Sequence, residues 1–251
     1  MNESLGTLIV TGGSRGIGAA ISRLAAARGY AVAINYQSAK EKAESLAREI
    51  IANGSTATAI QADIGSEADI LRLFDTATQT LGPLSALVNN AGITGGFSRV
   101  ESVDAATLQR VLAVNVTGTI LCCREAVRRL STKQAGPGGV IVNISSRAAD
   151  FGSAGEWVHY AASKAAVNTF TIGLAREVAS EGIRVNAVAP GLVHTDLHAD
   201  YGDPQRLDRL TPTIPLGRAG TPQEIAEGVL WLLSPAASFA TGTILTISGG
   251  R

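Results

Sequence analysis

Seven short apolar runs are spaced along this chain, and helix-period segments separate them. The runs are TLIVT (7–11), YAVAIN (30–35), STATAI (55–60), LSALVN (84–89), GVIVNI (139–144), IRVNAV (183–188) and TILTI (243–247). Helical patterns begin near residues 16, 40, 67, 104, 157 and 222. Strands apolar on both faces need cover on both faces, and a helix between successive strands builds a parallel crossover. The expectation is therefore an α/β fold, a doubly wound seven-stranded parallel sheet with helices on both faces. Residues 1–251 read as one domain. Within it, residues 192–221 carry Thr-Pro, Ile-Pro and Thr-Pro steps and form one long irregular connection, expected to act as a substrate lid.

Charge removes several classes of partner. Lysine plus arginine number 21 and aspartate plus glutamate 21, so there is no net basic field to hold nucleic acid or an anionic membrane. The start, MNESLGTLIV, lacks a basic segment followed by a long apolar run, and no stretch approaches the ~20 apolar residues that span a bilayer. Cys122 and Cys123 are adjacent and cannot build a disulfide framework. A cytoplasmic protein with a small-molecule partner is expected.

In an open parallel sheet, ligands bind at the carboxyl ends of the strands. The first strand ends in TGGSRGIG, residues 11–18, and a helical pattern follows at once. Glycine lets a backbone turn tightly there and lets a pyrophosphate lie against the amides at the helix N-terminus. By itself the cluster fits a ligand-free turn as well, and Gly12, Gly16 and Gly18 are spaced more widely than G-x-G-x-x-G. Other strand ends add to it. LVNNAG (87–92) supplies two asparagines and a glycine, and VNISS (142–146) supplies two hydroxyls. YAASK then puts Tyr160 and Lys164 four residues apart, on one face of a helix.

On these motifs the chain resembles the short-chain dehydrogenase/reductase family over essentially its whole length. TGGSRGIG matches the family's TGxxxGxG cofactor loop, NNAG its central-strand motif, Ser146 and YAASK its catalytic positions, and APG (189–191) the position after the sixth strand. The resemblance implies a Rossmann fold, a homotetramer, and hydride transfer between a nicotinamide and a carbonyl or alcohol. It assigns catalysis to Asn115, Ser146, Tyr160 and Lys164. Tyr160 would be the acid and base, Ser146 would orient the substrate oxygen, and Lys164 would favour the phenolate and hold the nicotinamide ribose. Asn115 would hold a water linking that lysine to solvent. Ser146 lies 14 residues before Tyr160, slightly farther than is usual in the family, so RAADFGSAGEWVH carries a short insertion. Ser145 is expected to bond backbone.

The cofactor set implied is Gly12, Ser14, Arg15, Gly16, Ile17, Gly18, Asn35, Tyr36, Asp63, Ile64, Asn89, Ala91, Gly92, Tyr160, Lys164, Pro190, Gly191, Val193 and Thr195. Arg15 opposes the helix dipole at a cost of roughly 0.3–1 kcal/mol unless an anion lies near it. The second strand ends in INYQ, without the acid that accepts hydrogen bonds from an adenosine 2′-OH. Together these imply NADP(H) over NAD(H); a solvated surface arginine is the other reading of Arg15. Lys40 could add charge. Asp63 reads either as an adenine contact or as a helix-start signal within DIGSEAD.

For the substrate pocket, Trp157, Gly95, Gly96, Phe97, Phe151, Leu192, His194 and Tyr201 are candidates. They leave the substrate open among keto-acyl thioesters, sugars, steroids and other ketones. HTDLH (194–198) lacks a third ligand and a regular helix, so no metal is expected. His159 points away from Tyr160 on its helix and is not expected to be catalytic. Oxidation of an alcohol or sugar is the alternative to carbonyl reduction, and a non-catalytic dinucleotide-binding module is the alternative of another class. The complete Asn115, Ser146, Tyr160 and Lys164 set argues against the latter.

Overall fold

The structure, a computed structural model, describes residues 5–195 and 205–251. All seven expected strands form. They are β1 Thr7–Val10, β2 Ala31–Tyr36, β3 Ala57–Gln61, β4 Leu84–Asn89, β5 Gly139–Ile144, β6 Ile183–Pro190 and β7 Ile244–Ile247. They pair in the order β3-β2-β1-β4-β5-β6-β7, parallel throughout.

Strand alternation splits the core in two. Leu8 and Val10 of β1 face α1 Gly16–Ala27, α2 Lys40–Ala52 and α9 Pro222–Leu233, whereas Ile9 joins the layer of α3 Glu67–Leu81, α5 Thr119–Leu130 and α7 Val158–Val178. That is a doubly wound sheet, helices on both faces. Local signals set the helix starts. Ser66 caps α3 by accepting from the Asp69 N–H, and Thr221 with Glu224 forms a capping box on α9.

After β3 the chain returns across the sheet and lays β4 beside β1, so the strand order reverses between those two strands. Their carboxyl ends flank the crevice where such folds take ligands. Side chains stitch the two ends together. Thr11 Oγ1 accepts the N–H groups of Asn90 and Ala91 at 3.0 and 3.0 Å, and Asn90 Nδ2 donates to the carbonyls of Thr11 and Gly12 at 3.0 and 2.9 Å.

Two segments differ from the expectation. A helical path of 26 residues, Ala105–Leu130, has the length of a membrane span and holds an 18-residue window of mean hydropathy 1.3. It packs as a wall of the core instead, burying Val111, Cys122, Cys123, Ala126 and Leu130, and it carries Arg110, Arg124, Glu125, Arg128 and Arg129. The path runs as α4 Ala105–Leu112, a π-helical stretch Ala113–Gly118, and α5. The second segment is 192–221, where Arg206–Leu210 form a short helix, α8, and Thr211–Thr213 a 3₁₀ turn. A further short helix, α6 Ala148–Phe151, follows β5.

Candidate active site

A cleft of about 610 Å³ opens over the carboxyl ends of the strands, within the range of small-molecule and cofactor sites. The β1–α1 loop floors one end. Gly12, Ser14, Arg15, Gly16, Ile17 and Gly18 line it, and Gly12 and Gly16 have positive φ of 60° and 51°. No side chain caps α1 at Arg15, so its first amides are not capped from within that residue. Buried Asn35 braces the loop from below, its Oδ1 accepting the Gly12 N–H at 3.0 Å. A Cβ at Gly18 would stand 2.3 Å from the Gly12 carbonyl oxygen and 2.6 Å from Asn90 Nδ2. The loop therefore closes on itself only when residue 18 is glycine. Gly18→Ala is expected to cost about 1–3 kcal/mol of stability by overpacking. Chemical denaturation checks this, and an unchanged midpoint would show that the loop has slack.

At the middle of the cleft the chain gathers Ser146, Tyr160 and Lys164. β5 delivers Ser146, whose Oγ accepts the Ala148 N–H at 3.1 Å. Ser145 is buried and donates to the Lys164 carbonyl at 3.3 Å, in line with the backbone role expected for it. On α7, Lys164 lies under Tyr160 with Nζ 5.8 Å from the ring centroid, and that Nζ donates to the Ile144 carbonyl at 2.7 Å. Asn115 sits in the π-helical stretch, a local irregularity common at functional sites. Its amide donates to the Ile93 carbonyl at 2.8 Å and to Ser163 Oγ at 2.9 Å, and its Oδ1 accepts the Ile93 N–H at 2.9 Å. A Cβ on Gly92 would come within 3.3 Å of Lys164 Nζ and 3.4 Å of Asn115 Oδ1, so these two polar groups meet at that glycine.

Lys164 is 4% exposed, and burial lowers its pKa from 10.5 to about 8. Below about pH 8 the folded protein keeps a charged lysine out of water; between about 8 and 10.5 the unfolded chain binds the extra proton, so stability rises with pH across that window. The rise amounts to about 3 kcal/mol. Urea unfolding of the cofactor-free protein and of Lys164→Met measures it, since subtracting one profile from the other removes all other titrations. A flat difference between pH 8 and 10.5 would overturn the assignment.

The end of the cleft beside the glycine loop is built from β2, β3 and α2. Tyr36, Asp63, Ile64, Ala91 and Gly92 line it, and no carboxylate stands at the end of β2, where Gln37 and Ser38 follow Tyr36. Asp63 is not the cap of α3; Ser66 is. Burial works to raise the Asp63 pKa, but Arg110, 2.9 Å away, and the Gly65 N–H hold it below the ordinary carboxylate value. Lys40 pairs with Glu44 at 3.8 Å and does not line the cleft, whereas Lys42 does. Helix phase decides which of the two reaches the loop. Asn89 corrects the sequence reading. It is buried beneath the cleft, donating to Asn143 Oδ1 at 2.9 Å, because the last residue of β4 points into the sheet and hands the cleft position to Asn90.

Pro190, Gly191, Val193 and Thr195 border the cleft after β6. A Cβ on Gly191 would be 2.8 Å from Ser248, and the segment is pinned by a bridge between Val193 and Gly220. Of the substrate candidates, Phe151, Trp157 and Leu192 line the cleft. Gly95, Gly96, Phe97 and His194 do not. Ser98 bridges Trp157, which lays Phe97 against the Trp157 ring at 4.6 Å as packing, and exposed His194 is held to the Gly220 carbonyl through its backbone N–H. Tyr201 and His198 lie outside the described residues. His159 turns Nε2 to the Thr94 carbonyl at 2.8 Å and is absent from the cleft wall. Sequence reasoning missed Asn90, Lys42, Arg110 and the arginines Arg147, Arg206 and Arg251, all of which line it.

A parallel sheet reversing at β1 and β4, a glycine loop at that point, and a Ser, Tyr and Lys group beside it define a dinucleotide-dependent oxidoreductase architecture. Comparison with known proteins agrees. Residues 12–251 match the family described as Enoyl-(Acyl carrier protein) reductase. The chain is 49% identical over 243 residues to an uncharacterized oxidoreductase, YgfF, of Escherichia coli (strain K12), covering 97% of this chain and 98% of that one. It is 40% identical to 3beta-hydroxysteroid dehydrogenase 1 of Eggerthella lenta, covering 97% and 92%. A short chain dehydrogenase of Burkholderia cenocepacia, solved in complex with NADP, superposes with a TM-score of 0.90 at 35% identity, covering 98% of each chain. The protein belongs to the short-chain dehydrogenase/reductase family and is an oxidoreductase acting on hydroxyl or carbonyl groups.

Proposed function

We propose that this chain is an NADP(H)-dependent oxidoreductase moving a hydride between a nicotinamide and a carbonyl or secondary-alcohol substrate, with Tyr160 as acid and base. The observation that carries this reading is that Ser146, Tyr160 and Lys164 share one cleft with the glycine loop. The loop suits a dinucleotide, since Gly12, Gly16 and Gly18 bare the backbone to the cleft at the start of α1, where a helix N-terminus favours a pyrophosphate. A bound nicotinamide supplies or accepts the hydride.

The protein's own groups manage the proton. The Tyr160 hydroxyl gives its proton to the substrate oxygen in reduction and recovers it in oxidation. Free tyrosine titrates near ~10, so the phenolate needs support. The Lys164 ammonium one helical turn away provides it by charge. The Ser146 hydroxyl donates to the same substrate oxygen and orients it. Asn115, fastened to Ile93 and Ser163, is a positioning residue that keeps the polar space beside Lys164 and Gly92 open. Gly191, Val193 and Thr195 would hold the carboxamide, and Arg15 with Lys42 would face the adenosine 2′-phosphate.

The chain would work as one domain and as a cytoplasmic homotetramer. Support comes from Leu108, Leu112 and Ile120 along the 105–130 helical path and Ile172 on α7, apolar side chains exposed on two long helices. Sedimentation equilibrium tests the assembly. Fluorescence titration with NADPH and NADH, then a carbonyl screen with the preferred cofactor, tests the activity; tighter NADH binding would refute the cofactor assignment.

A further inference from the structure

Beyond Tyr160 the cleft changes character. Phe151, 48% exposed, lies in it with the Arg147 guanidinium 4.6 Å and the Arg251 guanidinium 5.4 Å from its ring centroid. Trp157, whose ring centroid is 5.8 Å from that of Tyr160, carries the Arg206 guanidinium at 4.7 Å. Three guanidiniums thus line the same cleft as Tyr160, one of them, Arg206, on the ring beside it, in a chain with no net charge. Among the described residues that line this end, Glu156 carries the one side-chain carboxylate, with Asp150 at the rim beside Arg147.

The three arginines are not equivalent. Arg206 is 5% exposed and donates to Glu156 Oε2 at 2.7 Å, so it serves the wall. Arg147 uses Nε on a terminal main-chain oxygen of Arg251 at 2.9 Å and Nη1 on Asp150, two of its five N–H donors. Arg251 has no side-chain hydrogen bond or ion pair among the described residues; it rests on Phe151. Burial and then the charges of Arg206 and Arg147 push its pKa down, with Glu156 opposing, so like charges crowd here. Crowded cations beside an aromatic shelf are stabilised when an anion arrives, and a guanidinium fork matches a carboxylate or phosphoryl group.

Resting on the oxidoreductase reading above, we propose that the substrate is an anionic carbonyl or alcohol compound. Its apolar body lies against the exposed ring of Phe151, and its carboxylate or phosphoryl group is held by Arg147 and Arg251. The test needs no turnover. Benzoate, phenyl phosphate and neutral benzamide are titrated by calorimetry into the complex with NADP⁺, for the wild type and for Arg147→Gln, Arg251→Gln and the double variant. The anions are expected to bind at least about tenfold tighter than benzamide, and the double variant to lose that preference while keeping its NADP⁺ affinity. Benzoate binding tighter identifies a carboxylate; phenyl phosphate binding tighter identifies a phosphoryl group. Equal affinities, no binding of either anion, or a preference surviving in the double variant would overturn the proposal. Loss of Tyr160-dependent turnover is a separate measurement, so failure of the anion site is distinguishable from failure of the oxidoreductase reading.

Discussion

Tyr160→Phe is expected to lower kcat on any carbonyl or alcohol substrate by about a hundredfold to ten-thousandfold, the range for loss of a positioned acid and base. The change removes one oxygen and keeps the ring, so the packing against Trp157 at a centroid distance of 5.8 Å survives. Binding of NADPH should shift by no more than about twofold, because an interaction made chiefly in the transition state appears in kcat. Steady-state kinetics with a substrate found by the screen, beside a fluorescence titration of the cofactor, separates the two effects. Undiminished turnover would remove Tyr160 from the chemistry. A parallel loss of cofactor affinity would show that the Tyr160 hydroxyl also holds the cofactor, as its place in the implied cofactor set suggests.

The second large effect concerns cofactor choice. Arg15→Gln combined with Lys42→Gln should weaken NADPH binding by about a hundredfold or more, since each charge-assisted contact to a phosphate contributes roughly 1.5–3 kcal/mol. NADH, which lacks the 2′-phosphate, should bind within about threefold of its wild-type affinity on the same grounds. The two side chains line the same end of the cleft, and no acid follows β2 to favour a free ribose hydroxyl. Raising the salt concentration should weaken NADPH binding to the wild type more than to the double variant. Equal weakening of both cofactors would assign these residues to the shared pyrophosphate.

The strands and helix starts were legible because they depend on local patterns. TLIV and AVAINY are apolar apart from Thr7 and Asn35, and both are buried along their whole length. The helices begin within a residue of the patterned positions near 16, 40, 67, 104, 157 and 222. The π-helical stretch around Asn115 and the short helix Arg206–Leu210 were not legible, for neither carries a periodic signal of its own. Asn89 and Asn90 mark the boundary of what periodicity can decide. Both are asparagines at a strand end, and only the termination of the ladder at Asn89 turns the first into the core and the second to the cleft.

The sequence by itself determined the parallel, doubly wound architecture, the glycine loop, and the helical pairing of Tyr160 with Lys164. Each of these rests on contacts between residues near in the chain, where spacing sets direction. The tertiary structure decided which cations meet in the cleft. Lys42 rather than Lys40 reaches the loop by helix phase, and Arg147, Arg206 and Arg251 converge from three distant segments. No short-range pattern encodes such a meeting, because the force between their charges acts through space and only the folded chain sets the distances.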